Sequence, residues 1–147
     1  MKILKGIAIA LMVYVAVVAA FESMIGTLQP QAAGSTLVIT TRSDDGSAHD
    51  RVVSRLESAG QLYVAANHWP RAWYHRLLAK PDVQVTLDGQ TGDYRAVAVD
   101  AGSEEHLRIA QDNPVPGWFR FVTGFPPRYF VRLEPAAPAP TPGATAG

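Results

Sequence analysis

The sequence predicts a mainly β domain of the α+β class, a small six-stranded barrel with one or two crossover helices behind an N-terminal transmembrane helix. Three observations predict it. Short β-branched or alternating runs recur between residues 36 and 133, separated by turn residues. Two segments, near 71–79 and 103–110, carry helical spacing instead. The start of the chain, Ile3 to Phe21, is apolar except for Lys5, with Gly6 and Tyr14 of mixed character.

That first run is just long enough to span a bilayer, which takes roughly 20 apolar residues, provided Lys5 snorkels. A cleaved signal is the alternative, with Lys2 and Lys5 ahead of the apolar run and small residues at Val18-Ala19-Ala20. As an anchor, the basic start stays cytoplasmic and the domain lies outside. The divisions are then an anchor or signal over 1–22, a linker over 23–35, a domain over 36–134 and a Pro/Ala-rich tail over 135–147. The tail cannot bury a core and is expected to be disordered.

The strands follow in order. Thr36–Arg42 is the first, closed by the turn residues Ser43-Asp44-Asp45-Gly46-Ser47. Asp50–Glu57 alternates loosely, and Ser58-Ala59-Gly60 turns into Gln61–Ala66. Two adjacent hairpins make the sheet antiparallel. Asn67-His68-Trp69 breaks the third strand. Pro70 suits a first helical turn, where its missing N–H is not needed. In the helix Arg71–Ala79, Trp73 pairs with Leu77 and Tyr74 with Leu78 at i,i+4. His75, Arg76 and Lys80 fall outside that stripe, and Pro81 ends the helix. Asp82–Leu87 and Tyr94–Val99 are strands about an Asp88-Gly89-Gln90 turn. Ser103 caps a helix that opens with Glu104 and Glu105. Trp118–Val122 is a short aromatic helical turn, and Arg128–Leu133 is the sixth strand.

Composition excludes several functions. Lys and Arg total 13, as do Asp and Glu, so no bulk charge drives nucleic-acid binding. The chain has no cysteine, hence no disulfide and no thiolate chemistry. His49, His68, His75 and His106 lack metal-ligand spacing, and no phosphate loop or nucleophile elbow is present. No metal site is expected. What remains is Gln61–Val85, where a helix start, aromatic side chains and a polar loop meet at a strand end. Such a place can bind an anion or a flat ligand, or be a packed crossover. Arg71 is electrostatically misplaced at a helix start unless an anion sits there. Trp69 and Trp73 can stack on a planar ring, with core packing the alternative for Trp73. Arg51 and Arg55 are a solvated face or a basic wall for an acidic ligand.

At these residues the chain resembles the deazaflavin-dependent nitroreductase and quinone reductase family, whose members use coenzyme F420 on a split β-barrel. Leu37-Val38-Ile39-Thr40-Thr41 is similar to the family's first strand. Arg51 sits where the family has an arginine after a turn. Trp73-Tyr74-x-x-Leu77-x-Ala79-x-Pro81-x-Val83 resembles its Trp-Tyr-x-Asn-Leu-x-Ala-x-Pro-x-Val signature. The resemblance implies that Arg51 contacts the acidic tail of the cofactor. It places Asn67 and His68 near the phosphate and ring, and Ala72 and Trp73 along the ring pocket. A dimer with the cofactor at its interface is a further implication. The expected activity is hydride transfer from reduced F420, or from FMN in its place, to a quinone-like or nitroaromatic acceptor. Arg51 and the helix start at Arg71 would hold the anionic part, Trp69 and Trp73 would flank the ring, and His68 would hydrogen-bond the ring or act as the catalytic proton donor. The alternatives are a non-catalytic barrel holding a lipid, quinone or haem-like ligand, and a structural envelope protein.

Overall fold

The structure is a computed structural model, and it describes residues 2–27, 35–67 and 72–136. Helix α1 spans Lys2–Thr27. The strands are β1 (Thr36–Arg42), β2 (Ala48–Ser54), β3 (Leu56–Ser58), β4 (Gln61–Ala66), β5 (Asp82–Leu87), β6 (Gln90–Ala98) and β7 (Tyr129–Pro135). Helix α2 (Ala72–Ala79) lies between β4 and β5, and α3 (Glu104–Asp112) and α4 (Gly117–Val122) lie between β6 and β7. One sheet has the order β2-β1-β5-β6-β7-β4-β3. Each neighbouring pair is antiparallel.

Seven strands replace the expected six. The run Asp50–Glu57 is two strands because its pairing partner changes. Ser54 pairs with Thr36, the first residue of β1, so β2 has no further partner on β1. Leu56 then pairs with Tyr63 of β4 instead. Arg55 alone joins them. Since β2 and β3 are the two outer strands of the order, a one-residue link between them requires the sheet to curl back on itself. The result is a half-barrel.

Local chemistry supports each element. Asp88 and Gly89 both take positive φ, 49° and 81°, as a two-residue turn between right-twisted strands needs. Ser103 accepts a bond from the His106 amide at 3.1 Å and caps α3 as expected. On α2 the structure buries Trp73 and Leu77 but leaves Leu78 41% exposed, so the apolar stripe is narrower than the sequence pattern.

The strands alternate between two cores. Leu37, Ile39, Val64, Val85, Val131 and Leu133 face the inside of the curl, where α2 inserts Trp73 and Leu77. Tyr63 and Phe130 face outward and pack with Val99 and with Ile109 of α3. That outer core has a polar rim. The Tyr63 hydroxyl donates to Glu105 Oε1 at 2.8 Å, and Arg132 Nη1 donates to the same oxygen at 2.6 Å. The Arg132 bond, with help from Tyr63, holds the Glu105 carboxyl below its usual range. A depressed carboxyl contributes stability that is present above its unfolded pKa and lost as pH falls through the folded one. Glu105→Gln is therefore expected to cost about 1–2 kcal/mol at neutral pH. It should also flatten the acid limb of stability. Unfolding midpoints of both proteins across the acid range check this, and parallel pH profiles would refute it.

Candidate functional site

Two groups of polar side chains flank α2. The first lies where β4 ends and β7 begins. Asn67 follows β4 directly, and its Oδ1 accepts from Arg128 Nε at 3.0 Å. Arg128 Nη1 donates to the Asn113 carbonyl at 3.0 Å, and the guanidinium lies 4.7 Å over the Phe130 ring. Burial, then the nearby Arg120 charge, pushes the Arg128 pKa down. His106 Nε2 meets the Arg128 carbonyl at 3.1 Å, which makes that nitrogen the protonated one. Beside them Tyr74 and Tyr129 stack with centroids 5.6 Å apart, and Trp73 meets Tyr74 edge-on at 6.1 Å. Asn67 is thus held in a fixed orientation at the mouth of the curl, next to an aromatic wall.

The second group is a basic band between β2, the end of β1 and α2. Arg51 pairs with Ile39 and Val53 with Leu37. Paired residues share a face, so Arg51 points the same way as the inner core, and it is half-buried there. His49, two residues along, is opposite Thr41, and its Nε2 lies 2.7 Å from Ser43 Oγ. Thr41 is 1% exposed and accepts from Arg76 Nε at 3.3 Å. Lys80 Nζ donates to the Ser43 carbonyl at 2.6 Å and pairs with Asp44 at 3.2 Å. A cleft of about 280 Å³ is lined by Arg42, Ser43, Asp44, His75, Arg76, Ala79 and Lys80. Asp44 is its only acidic lining residue and is fully exposed. The turn's other acid, Asp45, is bound to Ser47.

The sequence-predicted residues divide accordingly. Arg51 lies on the basic band. Asn67 lies at the mouth, and Ala72 is exposed at the start of α2. Trp73 is 6% exposed and belongs to the inner core. His68, Trp69 and Arg71 lie outside the described residues. Arg55, the other half of the expected basic wall, is occupied by Glu57 and Asp88. Sequence reasoning missed the α2 cations, Arg128 and the tyrosine pair. The available signal was that His75, Arg76 and Lys80 all fall off the apolar stripe of a helix whose other face is core. Among the described residues no three of His, Asp or Glu gather in a way that could hold a metal.

A curled antiparallel half-barrel with a basic band and an aromatic mouth beside one inserted helix has room and charge for an anionic, planar ligand. The chain belongs to the F420H(2)-dependent quinone reductase family, whose family model matches residues 11–124. Membership makes coenzyme F420 its cofactor. No curated protein matches the chain. Solved structures share the fold. A domain-swapped dimer is 19% identical, with TM-score 0.55 over 70% of this chain and 82% of that one. HutZ, the haem storage protein from Vibrio cholerae, is 18% identical, with TM-score 0.53 over 71% of this chain and 84% of that one. An FAD-binding protein from Mesorhizobium loti is 15% identical, with TM-score 0.52 over 70% of this chain and 80% of that one.

The residues present fit the cofactor. Its tail carries a phosphodiester and carboxylates, and the band offers cations with two turn carboxylates beside them, Asp44 on Lys80 and Asp45 on Ser47. Among the described residues Arg76 donates to a neutral hydroxyl and to no carboxylate, which leaves its charge available to an anion.

Proposed function

We propose that this chain is a membrane-anchored oxidoreductase that reduces a quinone-like or nitroaromatic acceptor with F420H2. The observation that carries the reading is the basic band, with Arg51 on the core face, Arg76 on the adjoining helix and Lys80 just past its end. When bound, the reduced cofactor supplies a hydride. Arg51, Arg76 and Lys80 hold its anionic tail. Asn67, oriented by Arg128, offers its amide to the polar edge of the ring. The Tyr74–Tyr129 stack gives the mouth an apolar wall that excludes water. A quinone that accepts a hydride needs one more proton to become a hydroquinone, and His68, next after Asn67, is placed in sequence to donate it. We assign the domain to the outer side of the membrane from the basic chain start, with a cleaved signal and export as the alternative. A homodimer with the cofactor at its interface is compatible with this assignment.

A titration of the detergent-solubilised full chain with F420 and FMN in parallel tests the reading. Saturable, micromolar binding of F420, followed by quinone-dependent reoxidation of F420H2, is expected. FMN binding in its place would change the cofactor. Tight F420 binding without turnover would make the chain a non-catalytic carrier. Binding of neither by a folded protein would end the redox assignment.

A further inference from the structure

Among the described residues, no side chain of helix α4 belongs to either core of the sheet. It packs on α1. The Tyr14 hydroxyl donates to the Phe121 carbonyl at 2.9 Å, and the two rings lie 5.0 Å apart. Phe21 meets Phe119 edge-on at 6.2 Å. Gly124 lies against Val18, where an added Cβ would come within 2.9 Å. All these partners fall inside Ile3–Met24, the part of α1 long and apolar enough to cross a bilayer. Tyr14 is ten residues before Met24, about 15 Å of helix. If α1 crosses, α4 lies alongside its last stretch.

The composition of α4 agrees with such a location. Trp118, Phe121 and Phe125 are 66%, 55% and 55% exposed. Arg120 is exposed beside them, 5.7 Å over the Phe125 ring, and no ion pair engages it among the described residues. Aromatic side chains with a cation that can reach headgroups are the pattern of an interfacial element.

The backbone supplies an independent observation. The last carbonyls of a helix normally need water. Here the Phe119 carbonyl accepts from Thr123 Oγ1 at 2.8 Å, and the Arg120 carbonyl from the Phe125 amide at 2.8 Å. The Phe121 carbonyl accepts from Tyr14 and from the Gly124 amide at 3.2 Å. Three of the last four carbonyls of α4 thus have protein donors, which lowers the cost of leaving water, while that of Val122 has none among the described residues and needs the polar interface.

We infer that α4 and Phe125 form a second membrane contact, set along the outer half of α1 from Phe119 beside Phe21 near the interface to Phe121 beside Tyr14 deeper in, with Arg120 reaching up to anionic lipid headgroups. The inference rests on the anchor reading of α1 and not on the redox assignment. It places the cleft of about 500 Å³ lined by His106, Arg120, Phe125 and Arg128 at the lipid surface.

The test uses the full chain reconstituted in phosphatidylcholine vesicles with brominated acyl chains, with and without phosphatidylglycerol. The emission of Trp118 is obtained as the difference between the wild type and Trp118→Phe. A roughly twofold loss of that emission in shallow-brominated lipid is expected, deepened by phosphatidylglycerol in the wild type but not in Arg120→Gln. Trp118 emission quenched by aqueous acrylamide and not by bromolipid would overturn the contact while leaving the anchor in place. Shielding from both quenchers would give the surface to a protein or a second copy. Failure of the chain to float with the vesicles would remove the anchor and this contact together. None of these readouts depends on F420.

Discussion

Trp73→Ala is expected to lose about 3–5 kcal/mol of folding stability. The indole is 6% exposed and sits in the inner core with Leu77, where α2 plugs the curl of the sheet. Removing it leaves a cavity between a helix and strands that hydrogen-bond across the whole sheet, so little can collapse to fill it. Against a typical total of roughly 5–15 kcal/mol, a loss of that size can take most of the stability. A denaturant series in the same detergent would show a large fall in the unfolding midpoint. Trp73→Phe, which keeps most of the packed ring, should fall much less. Loss of F420 binding in Trp73→Ala would therefore say little about the ligand. An alanine variant with an unchanged midpoint and abolished cofactor binding would show instead that the indole works as a ligand wall.

Arg51→Gln is expected to weaken F420 binding about 10–100-fold, the equivalent of a lost charge-assisted contact of roughly 1.5–3 kcal/mol. The unfolding midpoint should fall far less than in Trp73→Ala, because the substitution leaves the core residues Val53 and Ile39 in place. Arg76→Gln should act in the same direction, and rising salt should narrow the gap between wild type and either variant. Arg55→Gln is the control. Its guanidinium already serves Glu57 and Asp88 on the surface, so cofactor affinity should stay the same. Equal affinities for wild type and Arg51→Gln would move the anionic tail off this band.

The parts legible in the sequence were those set by near neighbours. Ser103 and its acidic first turn announced α3, Asp88-Gly89 announced a hairpin, and the Trp73–Leu77 spacing announced the buried face of α2. The split at Arg55 was not legible, because it depends on where β1 begins and on β4 lying nearby, neither of which is encoded at residues 50–57. The basic band is hidden for the same reason. Arg51 and His49 come from one strand, and Arg76 and Lys80 from a helix and the residue just past it, beyond two more strands, and only the curl sets them side by side. Arg51 was expected as a ligand contact from its strand pattern and the family resemblance, and Asn67 from the resemblance alone. Arg128 was not, since an arginine at the head of a strand gives no local sign that it will be half-buried against Asn67 and a phenylalanine ring. The aromatic run of α4 was visible as a short helical turn, but its partner, the apolar start of the chain, gave no hint of a specific docking surface.

Gly124 leaves one further consequence. Its positive φ of 71° and its close approach to Val18 make it a notch into which the ridge of α1 fits. A helix seated in a notch is no mere leash. If α1 crosses a bilayer, that seating sets the pitch and heading of the barrel relative to the membrane plane, so the mouth at Asn67 is aimed and does not sweep freely. The chain would then be less a domain on a string than a fixed instrument mounted on the lipid, and removal of residues 1–20 as a signal would strip away the mount along with the address.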